Sequence, residues 1–245
     1  MEVPSYDAQA TGYDRRVGLG DEVCRAIADH VAARVGEDLC LEWGCGTGEI
    51  GAHLSTLTRY TGFDRSAQML EVFRQRRPEA TLLQRDGNDP WPVPDGSAVV
   101  FGSRSLHLLT PSHVASECRR VARRVLLGRV ERDPEGLRDR MRREMHRMLV
   151  ARGYTPRDGR TRTRGLSALL PFEAPRRVAT WTFDFSPDQA IQAWSGKPGL
   201  AGIVPKDSDK VAILTELSLA FGDPHARHRC REWYTVAEAC VKGCP

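Results

Sequence analysis

The sequence predicts an α/β protein whose sheet is mostly parallel and covered by helices on both faces. Three observations predict it. Short apolar runs of strand length alternate with amphipathic helical stretches over the first 130 residues. The length, 245 residues, suits one such domain with an elaboration. The composition, 40% apolar and 28% charged, is globular rather than disordered, collagenous or coiled-coil. No apolar run approaches the ~18 residues of a membrane span, and the first seven residues lack the basic start and apolar stretch of a secretory leader. Neither a membrane partner nor export is expected.

Each element follows from its own pattern. Val23, Ile27, Val31 and Val35 stand four apart, so residues 21–35 form a helix, with Asp21 as N-cap. Leu39 to Trp43 is a strand running into a Gly-rich turn, and a helix follows to about Leu57. Arg59 to Phe63 is the second strand, ending at Asp64; Ser66 caps a helix to Arg76 that Pro78 stops. Ala80 to Gln84, Ala98 to Gly102 and a run containing Val125 to Leu127 are the third, fourth and fifth strands.

Beyond the fifth strand the rhythm changes. Residues 135–152 read as a helix whose stripe of Leu137, Met141, Met145, Met148 and Leu149 is core or the underside of a cap. Asp158 to Arg164 reads as a polar loop. Arg177 to Phe185 alternates like a strand, and Ser186-Pro187 opens a helix. Another helix runs from Asp207 to Phe221 before Gly222, and residues 229–241 supply the last strand.

Charge is uneven. Residues 119–177 hold 18 Arg, no Lys and 7 acids, a net +11 in a chain of net +4, which leaves −7 for the rest. Such a segment either attracts anions and nucleic acid or solvates an exposed helix; the second is the more economical reading. The seven Cys form no C-x-x-C pair, so no structural zinc is expected, and reduced thiols in a cytoplasmic protein account for them.

The chemistry lies in Leu41-Glu42-Trp43-Gly44-Cys45-Gly46-Thr47-Gly48, an acid followed by G-x-G-x-G between a strand and a helix. Glycines permit a tight turn and close backbone approach. Such a turn at a parallel sheet's carboxyl edge is a nucleotide site. The spacing is neither the pyrophosphate fingerprint nor a phosphate loop, so the ligand need not carry phosphate. Asp64, ending the next strand, suits ribose hydroxyls, and Asp86, followed by Gly87-Asn88, suits an adenine amine. Glu42 beside the glycines favours a cation.

Together these residues resemble class I S-adenosylmethionine-dependent methyltransferases. Trp91-Pro92-Val93-Pro94-Asp95-Gly96-Ser97 and Val99 to His107 follow in that family's order, and Tyr6 to Asp14 looks like the N-terminal lid of its type 11, ubiquinone/menaquinone-methyltransferase-like branch. The match covers roughly residues 5–130. It departs at Ala98, where many relatives have Asp, and at Trp91-Pro92-Val93, where they tend to have Leu-Pro-Phe.

The resemblance implies a Rossmann-like, doubly wound, mostly parallel seven-stranded sheet with a lid helix and a helical cap inserted after the fifth strand. In a single domain, residues 1–20 are then the lid, 21–131 the cofactor core, 132–176 the substrate cap and 177–245 the final strands and helices. It implies S-adenosyl-L-methionine as cofactor, bound by Glu42, Gly44, Gly46 and Gly48 at the methionine end, Asp64 at the ribose, and Asp86 and Gly87 at the adenine. Tyr13, Cys45, Arg65, Ser103 and Arg104 complete the lining. No metal is required. The acceptor is a small molecule, plausibly of specialised metabolism, with no nucleic acid partner and a homodimer left open.

His107, after the fourth strand, is the candidate general base. Tyr6 and Tyr13 are placed to close over the cofactor, Trp181, Trp194 and Trp233 to wall an apolar acceptor, and Arg143, Arg147 or Arg152 to hold a carboxylate. Three alternatives stay open. One is cyclisation, aminocarboxypropyl transfer or rearrangement with the same cofactor. Another is methylation of RNA or protein. The third is a non-catalytic ligand-binding or scaffold protein that binds the cofactor and turns over no acceptor.

Overall fold

A computed structural model describes residues 7–14, 18–156, 161–195, 200 and 203–242; Tyr6 and residues 158–160 of the expected loop lie outside them. Seven strands form one sheet in the order β3-β2-β1-β4-β5-β7-β6: β1 (Leu39–Trp43), β2 (Arg59–Asp64), β3 (Thr81–Gln84), β4 (Ala98–Ser103), β5 (Ala122–Arg132), β6 (Arg176–Phe185) and β7 (His228–Cys240). Pairing is parallel from β3 through β5. β7 runs the other way: Val241 N–H donates to Arg123 O and Asp133 N–H to Arg231 O, so one number falls as the other rises. The sheet is therefore mixed with one reversed strand, as expected of a mostly parallel seven-stranded fold.

The chain divides into two compact units. The first comprises residues 1–130, 159–179 and 234–245. Its helices are α1 (Asp21–Val35), α2 (Gly51–Leu57), α3 (Ala67–Arg76), α4 (Pro111–Val121) and the short α6 (Thr161–Ser167). Alternation along β1 sends Leu41 and Trp43 to one face, where Phe63, Val100 and Val125 join side chains from α4 and α6. Cys40 and Glu42 face the other way and are equally buried, so the strand is covered on both sides.

The second unit comprises residues 131–158 and 180–233 and holds α5 (Leu137–Ala151), α7 (Pro187–Ser195) and α8 (Asp207–Ala220). The Met-rich stripe packs here: Leu137, Met141, Met148 and Leu149 are buried with Ile213, Leu214 and Leu217 of α8. Trp194 packs against the same core. Buried Glu232 pairs with Arg132 and Arg138, and the Arg138 guanidinium lies over Phe183 and Phe185.

Several local expectations are corrected. Gly20, not Asp21, is the N-cap of α1; Asp21 is the first helical residue and pairs with Arg25. Ser66 does cap α3, its hydroxyl accepting from Met69 N–H at 3.1 Å. Residues 161–164 are not loop but the start of α6, which forms because Leu166 is fully buried and Arg162 donates to Leu109 O. α5 lies in the second unit, whereas α6 packs on α4 in the first. Cys240 is disulfide-bonded, against the reading of all seven thiols as reduced; Cys24, Cys40, Cys45, Cys118 and Cys230 are free and buried. Among the described residues no helix is long and apolar enough to cross a membrane, and no group of His, Cys, Asp and Glu is arranged to hold a metal.

Candidate functional site

The chain leaves β1 at Trp43 and turns through residues 44–48. Gly44, Gly46 and Gly48 all have positive φ, at 59°, 55° and 77°, a conformation that side chains resist. The turn is tied to β2: Cys45 N–H donates to Phe63 O at 3.1 Å and Gly46 N–H to Asp64 Oδ2 at 3.0 Å. What a Cβ would meet separates the glycines. At Gly44 it would lie 2.4 Å from Ser105 Cβ, and at Gly48 2.4 Å from the Phe73 ring. At Gly46 it would meet nothing within 4 Å. Gly44 and Gly48 thus serve packing, while Gly46 keeps open space above the turn.

That space is a cavity of about 160 Å³ at the carboxyl ends of the central strands. Glu42, Gly44, Cys45 and Gly46 line it from β1 and the turn, Asp64 and Arg65 from the end of β2. Ser103, Arg104 and His107 line it from β4 and the 3₁₀ turn Leu106–Leu108, and Tyr13 from the N-terminal segment. Ten expected residues therefore converge. Three do not. Gly48 lies behind the wall, against Phe73. Asp86 and Gly87 line an adjoining cavity that shares Gly44, Asp64 and Arg65 with the first. There Asp86 Oδ1 accepts from Asn88 N and Nδ2, at 2.9 and 3.1 Å.

The electrostatics suit a cation. Glu42 is 3% exposed, and its Oε2 accepts from the Tyr60 hydroxyl at 2.6 Å. Burial pushes its carboxyl up to about 8, against the Tyr60 hydrogen bond, with Asp64 adding repulsion. Asp64 is also raised by burial, against backbone donors from Ser66 and Gly46. Asp64 Oδ1 accepts from Ser66 N–H and Oδ2 from Gly46 N–H, the Arg65 backbone adds a third bond, and the carboxylate keeps acceptor capacity for a hydroxyl. Arg104, the one non-glycine residue of positive φ among those described, binds Glu49 Oε2 at 2.6 Å, and Glu49 Oε1 accepts from Leu19 N–H at 2.9 Å. Partial desolvation of the His107 ring, and then the Arg162 guanidinium, hold the imidazole below its usual value, against a hydrogen bond with the Arg104 backbone. The residues present fit a nucleoside with a cationic tail: buried Glu42, an open backbone cradle at Gly46, and remaining acceptor capacity on half-buried Asp64.

Sequence reasoning missed several contributors. Tyr60 reads as strand core, yet Gly62 and Gly51 make room for its hydroxyl beside Glu42; a Cβ on either would fall 2.6 and 2.4 Å from that oxygen. Asp7, bonded from Ser66 Oγ, and Thr47, donating to Asp14 Oδ1 at 2.6 Å, also line the cavity or brace its wall. No local pattern marks them, because both are long-range polar contacts. The Arg side chains expected to hold an acceptor are already paired: Arg143 with Asp139, Arg147 with Glu144, Arg152 with Glu216.

Residues 40–125 match the family model described as a methyltransferase domain. No curated protein matches the sequence. Among solved structures, a candidate type II methyltransferase from Anaeromyxobacter dehalogenans is 19% identical, covering 89% of this chain and 96% of its own, with a TM-score of 0.61. A candidate methyltransferase from Bacillus halodurans is 15% identical over 89% of this chain and 99% of its own, with a TM-score of 0.52. A candidate histamine N-methyltransferase from Thermotoga maritima is 13% identical over 97% and 98%, also at 0.52. At these identities the structures speak to the fold, and the family model speaks to the segment that builds the cavity. Residues 40–125 thus resemble a methyltransferase domain, and the chain around them shares the fold of methyltransferases of known structure.

Proposed function

We propose that the protein binds S-adenosylmethionine in the Gly44–Gly46 cavity and methylates a small-molecule acceptor. One observation carries this reading: Glu42, Gly46 and Asp64, from two adjacent strands and the turn between them, line one cavity with the polarity a sulfonium nucleoside needs. The cofactor supplies an activated methyl group on a positive sulfur. Asp64 accepts ribose hydroxyls, Glu42 faces the cationic tail, and Gly46 lets the backbone come close. The residues then mainly orient the reactants, which is worth ~7–11 kcal/mol of barrier when alignment is good. An oxygen or nitrogen acceptor must also lose a proton. His107, held neutral at pH 7, is the cavity residue suited to take it.

The polar charge pattern favours a small acceptor over RNA. Most of the described arginines between 119 and 177 are engaged by carboxylates or carbonyls of the chain itself. Five free buried thiols support a cytoplasmic setting, and the disulfide at Cys240 counts against it. The test is calorimetric titration with S-adenosylhomocysteine. Wild-type protein should bind it, and Asp64→Ala should weaken binding more than about tenfold; equal affinity would remove Asp64 from the ribose. Appearance of S-adenosylhomocysteine during turnover supports methyl transfer, whereas methylthioadenosine would move the reading to aminocarboxypropyl transfer.

A further inference from the structure

Tyr234 on β7 is fully buried, and its hydroxyl donates to Ser103 Oγ at 2.5 Å. The two residues are not on neighbouring strands. β5 runs between them, and the β5 residue paired with Ser103 is Gly128. A Cβ at Gly128 would lie 1.9 Å from the Tyr234 hydroxyl oxygen. Only a glycine there lets the phenol pass over β5 and reach β4. A buried tyrosine can satisfy its hydroxyl on any nearby carbonyl. Here three strands are arranged so that it ends on a serine of the cavity wall.

The direction of the bond sets what Ser103 can do. A phenol is a stronger donor and a weaker acceptor than an aliphatic hydroxyl, so Tyr234 donates in this pair. Ser103 Oγ is then the acceptor in that bond, and its own proton is left to donate elsewhere. Ser103 lies one residue past the Trp43–Gly102 pairing, beside Arg104 and across from Gly44. A hydroxyl with its proton free to donate matches an anionic oxygen, whereas the neighbouring Arg104 guanidinium is held by Glu49. Glu42, on the neighbouring strand, presents a carboxyl whose ionised form suits a cation.

We infer that Tyr234 is a positioning residue, holding Ser103 so that the Ser103 hydroxyl donates to the carboxylate of an amino-acid tail at the β4 end of the cavity. The inference deepens the cofactor reading above and rests on it. It divides the tail between two strands: the carboxylate at Ser103 on β4, the ammonium toward Glu42 on β1.

The experiment compares two nucleosides, S-adenosylhomocysteine, which has the amino-acid tail, and 5′-methylthioadenosine, which lacks it. Tyr234→Phe should weaken the first about tenfold and leave the second unchanged, as measured by calorimetry. Ser103→Ala, a small change at the cavity wall that spares the core, should do the same. The double variant should lose no more than either single one, because both remove one interaction. Equal weakening of both nucleosides by either variant would show a general packing role and overturn the inference. So would undiminished affinity for S-adenosylhomocysteine. If wild-type protein binds neither nucleoside, the cofactor reading itself falls, an outcome distinct from either of these.

Discussion

Glu42 is a carboxyl held almost wholly out of water. Its carboxyl is raised to about 8, chiefly by burial, from an ordinary value near 4.5. A carboxyl raised on folding favours the folded state while protonated, so this contribution is present below pH ~4.5 and is lost as pH rises through about 8. Glu42→Gln removes the titration. The unfolding free energy of wild type relative to this variant should therefore fall between pH 5 and 8 in urea titrations, and a flat difference would contradict a protonated Glu42. The ammonium of an amino-acid tail is met best by the ionised form, so affinity for S-adenosylhomocysteine should rise over the same interval. His107 has the converse environment, with desolvation keeping the imidazole neutral. His107→Ala should lower kcat by ~10²–10⁴-fold if it is the base, with little change in the Kd for cofactor; an unchanged kcat would leave catalysis to orientation. That Asp64, Gly44 and Gly46 stand at the carboxyl ends of β1 and β2 was legible in the sequence, because strand ends and turns are local patterns. The Tyr60–Glu42 bond was not, because period-2 alternation marks Tyr60 only as a buried strand residue and says nothing of where its hydroxyl ends.

Among elements, the turn after β1 separates two demands that the sequence merges. Gly46 and Gly48 look equivalent in G-x-G-x-G, yet one faces open space and the other an aromatic ring. Gly48→Ala places a Cβ 2.4 Å from Phe73 at a φ of 77°, so it should cost ~2–3 kcal/mol of stability in chemical denaturation. Gly46→Ala pays only the left-handed backbone strain, ~1–2 kcal/mol, and should instead blunt nucleoside binding. If both variants fail in the same assay, the division of labour is wrong. Strands and long helices were readable from periodicity to within a residue or two. α6 was not: Thr161, Arg162, Thr163 and Arg164 lack helical signature, and the helix exists because Leu166 and Arg162 are anchored elsewhere in the unit.

At the scale of the molecule, the arginine-rich stretch is mostly neutralised within the fold rather than presented as a basic face. Single-stranded RNA should therefore bind weakly and with a shallow salt dependence; a steep fall in affinity between 50 and 200 mM salt would revive the nucleic-acid reading. The division into two units was not visible in composition, since residues 131–158 and 180–233 are joined by contact and not by any border in the chain. The first unit, which owns the cavity, is also assembled from separated pieces, the last being residues 234–245. Ser103 and Tyr234 stand 131 residues apart, so during synthesis the cavity wall leaves the ribosome well before the phenol that braces it, and a polypeptide halted between the two would keep the serine and forfeit its partner.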